Sequence, residues 1–176
     1  MSTPSYNPRL YVGTYAKYND GNLAGKWLDL GDYGDREEFL EACAALHDDE
    51  RDPEFMFQDF EGFPKEFYNE SSVSNELFEW VALDDGDREA VVRYADAFGY
   101  GYASDNTVEQ ARDAFHGTAS SEADFAQELA EELGEVPDDF PSWIVIDWKA
   151  SWDCNLRHDY TTSTDAEGDI WFFHNS

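Results

Sequence analysis

The chain has 176 residues, 40 of them acidic and 11 basic, for a formal charge of −29. That balance speaks against direct DNA or RNA binding, which needs a basic stripe to displace counterions from phosphates. It also disfavours anionic membranes, and no run of about 18 apolar residues supplies a membrane span.

With 41% hydrophobic and 16% aromatic residues, the chain can build a core and is not a disordered tract. A net charge of about 2–8 in magnitude keeps a small domain in solution. This charge is several-fold larger, and repulsion at that density works against the compact state. Solubility alone does not call for it. The opening "MSTPSYNPRL" has no charged stretch followed by an apolar one, so no signal peptide is read there. Two cysteines, Cys43 and Cys154, without metal-like spacing fit a reducing cytoplasm.

In chain order, "RLYVGTYAKYN" (9–19) reads as a strand, "NDGN" (19–22) as a turn with Gly21 at positive φ, and "AGKWLDLGDY" (24–33) as the return strand. The segment 35–47 is helical by its period: Asp35 caps it, Glu38 stands at capping-box spacing, and Phe39, Leu40, Cys43 and Leu46 share a face. "EFMFQ" (54–58) is apolar on both sides, as in a central strand. The middle reads as helices over 74–83, capped by Ser74, over 87–99, stopped by Gly99, and over 106–117, stopped by Gly117. Ser121 opens the clearest helix, which Gly134 and Pro137 stop. Asp147 opens another, and "HDYTTST" and "DIWFFHN" form a closing hairpin around "DAEG". The fold class is α+β in three small segments: an N-terminal α/β unit over 1–63, a helical unit over 64–104 and a C-terminal α/β unit over 105–176.

The acids follow the helical period. Asp124, Glu128 and Glu132 form one row and Glu128, Glu131 and Glu135 a second, with shorter rows at Glu37/Glu41 and Glu109/Asp113. Like charges four apart are mildly destabilising, by about 0.2–0.5 kcal/mol per pair, and few of these have a base opposite. Burying one Phe contributes about 1.5–3 kcal/mol, so an aromatic core can offset such a coat. In the crowded stretch 47–62, Phe55, Phe57 and Phe60 belong with Trp27 and Tyr15 to the scaffold. Asp48, Asp49, Glu50, Asp52, Asp59 and Glu61 belong to the coat, as do Asp85 and Glu89 further on. Duplex DNA carries one charge per roughly 1.7 Å of axis, so 29 charges correspond to about 49 Å of duplex. On composition alone, a DNA-like surface and adaptation to high salt stand equal.

Chemistry at a localised site finds little support. "HDDE" (47–50) can hold a hard cation but reads better as a solvated turn, and "DDGDRE" (84–89) lacks the alternate-position ligands of a calcium loop. The lone Gly-x-Gly in "FGYGYAS" (98–104) has no strand-then-helix frame. His47, His116, His158 and His174 are dispersed. No catalytic residue, metal or cofactor is assigned, and a small metal-dependent hydrolase or an acidic salt-adapted protein is the alternative to an interaction protein.

Three stretches carry a resemblance: "RLYVGTYAKYNDGNLAGKWLDLGDY" (9–33), with its Gly-x-Trp-x-x-Leu return strand, "EFMFQDFEGFP" (54–64), and "VIDWKASWDCNL" (145–156). Together they resemble the ArdA family of antirestriction proteins. The resemblance implies an elongated, three-segment molecule that imitates DNA and occupies the DNA-binding groove of Type I restriction-modification enzymes. It further implies protection of incoming mobile DNA, and a cytoplasmic homodimer joined near its C-terminal segment. "FAQELAEELGEVP" (125–137) overlaps the region known in that family as the antirestriction motif. Phe125, Leu129, Leu133, Phe140, Trp143 and Ile144 are the residues assigned to self-association.

Overall fold

The computed structural model describes residues 4–99 and 106–175. Among them are seven α-helices and two three-stranded antiparallel sheets, an α+β fold as expected.

The N-terminal sheet has β1 (Arg9–Thr14) in the middle, with β2 (Lys26–Asp29) and β3 (Phe55–Glu61) outside it. Leu10 faces Leu28 on one side and Phe60 on the other. Two expectations change here. The run 9–19 is not one strand: Thr14 Oγ1 accepts the Lys17 N–H at 3.2 Å and starts the short helix α1 (Tyr15–Asn19). Nor is the 54–58 stretch central. Met56 and Phe57 are buried on an outer strand because the chain at 68–70 closes that edge: Phe57 donates its N–H to Glu70 O at 2.7 Å, and the Tyr68 hydroxyl donates to Phe57 O. Helix α2 (Arg36–Leu46) starts at Asp35, whose Oδ1 accepts the Glu38 N–H at 2.9 Å, and it places Phe39 and Cys43 under the sheet. The Glu38 carboxylate reaches back to the Gly34 N–H, one residue beyond the usual capping-box partner.

Helices α3 (Asn75–Val81) and α4 (Asp85–Phe98) follow, capped by Ser74 and Asp84. Gly99 closes α4 at φ +72°, a conformation that favours glycine. Helix α5 (Thr107–Ala114) is shorter than the 106–117 expected. Phe115 is drawn into strand β4 (Phe115–Ala119), opposite Phe173 and stacked on Trp171 with centroids 5.3 Å apart. Gly117 therefore does not stop a helix; it lies within β4, beside the register irregularity of that pairing.

The remaining elements are α6 (Glu122–Glu132), α7 (Trp148–Cys154), β5 (Tyr160–Thr164) and β6 (Ile170–His174), and the second sheet has the order β4-β6-β5. Strand β6 is apolar on both faces. Trp171 and Phe173 join a large core that runs from Leu10 and Phe57 through Trp80 and Val91. Phe172 joins a smaller one with Phe125, Leu129, Trp152 and Tyr160. Phe172 lies parallel to Phe125 with centroids 3.9 Å apart; such aromatic pairs add about 0.5–1.5 kcal/mol beyond the area they bury.

Candidate functional site

The acids separate into those answered by a base and those that face water. Helix α6 shows the second kind. Its apolar stripe, Phe125, Ala126 and Leu129, is buried, which turns Asp124, Glu128, Glu131 and Glu132 outward, and Glu135 just beyond the helix is exposed too. Among the described residues, no ion pair involves any of these five. Within the row, the Gln127 amide donates to Glu131 at 3.0 Å.

The stretch 47–62 shows both kinds. Lys17 enters it from α1, with Nζ 2.8 Å from Asp49 Oδ1 and 3.9 Å from Glu50 Oε1. The same Nζ lies 2.8 Å from Nδ1 of His47, whose Nε2 is 3.1 Å from Val12 O. An ammonium only donates and a carbonyl only accepts, so His47 carries its proton on Nε2. The hydrogen bond from Lys17 holds the Asp49 carboxyl below the usual range. Glu50 accepts from the Thr14 hydroxyl at 2.6 Å and is half-buried. Asp48, Asp52, Asp59 and Glu61 are exposed, Glu61 paired with Arg9. Glu37 and Glu41 on α2 are exposed as well.

Between α3, α4 and α5 lies an open groove of about 1040 Å³ lined by Glu79, Asp84, Asp87, Glu109 and Asp113, with Arg112 as its basic member. The rows Glu109/Asp113 meet acids of other helices here, an encounter between segments that helical period alone does not reveal. Behind the groove Glu76 is 6% exposed and accepts the Val108 N–H at 2.8 Å. This carboxylate serves the start of α5, where Asn106 sits at φ +75° and offers no side-chain cap. Burial pushes the Glu76 carboxyl above its ordinary value, and the charge of Glu79 adds to the effect.

Three assignments require correction. Glu89 is not part of the coat: it is 3% exposed, accepting from Arg93 Nε at 2.8 Å and from the Tyr6 hydroxyl. Its position on the apolar side of α4 puts it in the core, and Arg93 four residues later is the signal that marks a paired acid. Asp85 is half-buried in an ion pair with Arg88. Phe125 and Leu129 fill the chain's own second core, so they are not free to meet another copy. Leu133 and Trp143 are exposed, at 62% and 81%, together with Ile144; Phe140 is half-buried. Val145, which is not among the residues assigned to self-association, is 88% exposed and continues that apolar run.

One oxygen cluster resembles a cation site: Asp165, Glu167 and Asp169 each bring a carboxylate oxygen within 4.8 Å of the others. Asp165 is already engaged. Its Oδ1 accepts from the N–H groups of Glu167 and Asp169, and its Oδ2 accepts from Trp171 Nε1 at 2.9 Å. The cluster is accounted for as the staple of the β5–β6 turn. Cys43 is buried, which pushes its thiol up to about 12 and removes it as a nucleophile at neutral pH. The Gly-x-Gly at 98–104 falls largely outside the described residues. No described helix is long and apolar enough to cross a membrane.

No protein of curated function matches the chain. The sequence model of ArdA, antirestriction protein, matches residues 10–167. That span takes in nearly all of β1, the whole of α1, the groove, the acidic face of α6 and the α7 helix, so the chain belongs to the ArdA family of antirestriction proteins.

Proposed function

We propose that this antirestriction protein works as a mimic of duplex DNA, occupying the DNA-binding groove of a Type I restriction-modification enzyme and so protecting incoming mobile DNA. It acts by occupancy and catalyses nothing. The observation that carries this reading is the unanswered acidic face of α6 in a chain of net charge −29. Carboxylates held on a packed scaffold present a fixed anionic lattice to the lysines and arginines of a DNA groove, and docking releases the ions condensed there. Electrostatic steering makes encounter fast at low salt.

Self-association belongs to the same reading. Leu133, Trp143, Ile144 and Val145 are exposed large apolar residues, the last three consecutive in the chain, and exposed apolar surface that gathers into a patch marks an interaction site more often than an idle one. We assign them to a homodimer contact in the cytoplasm. Sedimentation equilibrium of Trp143→Asp against the parent protein is the check; an unchanged mass refutes the contact.

The decisive experiment is displacement of a DNA duplex from a purified Type I methyltransferase at low salt. The expected result is full release at modest excess. No release at large excess rejects the mimic. Unfolding of the free protein when salt is withdrawn favours salt adaptation as the origin of the coat.

A further inference from the structure

Helix α4 packs against the C-terminal sheet, and its polar side chains reach both that sheet and the strap of chain that leads into β1. Toward the N-terminal sheet it grips Tyr6, three residues before β1. The Tyr6 N–H donates to Asp85 Oδ1 at 3.3 Å, Arg88 Nη1 donates to Tyr6 O at 3.3 Å, and the Tyr6 hydroxyl donates to Glu89 Oε2. The Tyr6 ring meets Trp80 edge-on, with centroids 5.1 Å apart. Two residues on, Pro8 O accepts the Leu30 N–H at 2.9 Å, which ties this strap to the chain just after β2. Toward the C-terminal sheet, Arg93 donates from Nε to Glu89 at 2.8 Å and from Nη1 to Thr164 O at 3.4 Å. The Ser163 hydroxyl donates to Asp96 Oδ2 at 2.7 Å. Glu89 and Arg93 thus form one relay from Tyr6 to the end of β5.

We propose that Glu89 and Arg93 are positioning residues for partner recognition: they fix how the two sheet units, and therefore their acidic faces, sit relative to one another. The proposal rests on the DNA-mimic reading above. The apolar contacts of α4, such as Tyr94 and Phe98 against Phe173, hold the units together but are non-directional and leave room for sliding. A carboxylate 3% exposed is costly to bury, and an apolar residue of the same volume often stabilises a fold as well or better. What the ion pair adds is direction: each hydrogen bond is satisfied in one arrangement only. A lattice of charges needs that, because the cationic groove it enters has its own fixed spacing.

The test uses two spin labels on the full chain, one on the exposed Cys154 and one on Glu41→Cys in α2. Cys43 is buried with its thiol pushed up, and so stays unlabelled. The variants are Glu89→Gln, the milder Tyr6→Phe, and Glu128→Gln as a control that removes one coat charge. The label-to-label distance distribution is expected to broaden in E89Q and, to a lesser degree, in Y6F, and to stay unchanged in E128Q. In label-free protein, E89Q is expected to need about tenfold more protein to displace DNA from the methyltransferase, beyond what one exposed charge supplies. An unchanged distance distribution in E89Q overturns the proposal; should E89Q not fold, the same reading in Y6F decides. Broadening with unchanged displacement also overturns it, since the relay then holds the fold without serving recognition. Failure of the parent protein to displace DNA is a different result: it removes the mimic reading, while the distance data still report on the relay.

Discussion

Helices α4 and α6 are both amphipathic and acid-rich, yet they use their acids in opposite ways. In α4, Asp85 is met by Arg88 and Glu89 by Arg93, at i,i+3 and i,i+4 spacing. In α6, Glu122 pairs with Lys149, but Asp124, Glu128, Glu131 and Glu132 follow the same spacing and, among the described residues, no base answers them. Acids of the first kind are fastened to the protein itself. Those of the second repel one another without relief from the fold, and the mimic reading proposed above assigns them to a cationic surface on the partner. Between these two helices, a base one helical turn away marks the acids fastened to the fold, and its absence marks those we propose for the partner.

The largest effect that can break this distinction is in salt. If α6 and its neighbours dock as a phosphate-like array of six or more charges, binding to the methyltransferase is expected to weaken by about a thousandfold between roughly 50 and 200 mM salt. A shallow slope in a salt titration of the displacement assay means few carboxylates are engaged. Next in size is Arg93→Ala. It leaves Glu89 buried with its ion pair broken, and the expected loss of stability is about 3 kcal/mol by denaturant unfolding. The corresponding change on α6, Glu128→Lys, creates opposite-charge neighbours at Asp124 and Glu132. It should stabilise the fold by about 0.2–0.5 kcal/mol per pair while weakening displacement.

The pH dependence follows the same division. Glu76 has its carboxyl raised in the fold, so the folded state holds its proton more tightly than the unfolded chain. The associated stability is present below the ordinary carboxylate range and is lost as pH rises through the raised value. Asp49 and Asp165 are lowered; their contribution is present above the ordinary range and lost only as pH falls below it. Thermal melts are therefore expected to improve on mild acidification from neutral pH and to worsen again under stronger acid. Glu76→Gln keeps an acceptor for Val108 and should flatten the first limb. Smallest of all, Glu128→Gln alone should change displacement by only a few tenths of a kcal/mol, and a row of such changes by progressively more.

Local chemistry was legible in the sequence, and long-range pairing was not. Asp35, Ser74, Ser121 and Asp147 all cap the helices expected of them, because a cap needs only the next three residues. The strand nature of Phe115 was hidden, since it depends on Phe173 and Trp171 far along the chain. So was the edge position of β3, whose cover comes from 68–70. Within the coat, helical period placed the α6 acids outside but misplaced Glu89. Of its two partners, Arg93 stands in the same helix and was a signal available to the period, while Tyr6 lies in no window of one helix. The groove of Glu79, Asp84, Asp87, Glu109 and Asp113 is assembled from three helices, so it belongs to the fold and to no single stretch.

Strand β6 has a consequence for how the molecule comes apart. Its side chains alternate between two interiors, Phe172 in one and Trp171 and Phe173 in the other, so neither can melt without stripping a wall from its neighbour. The last structured strand is a shared partition, and a stop codon just before it would collapse both chambers at once.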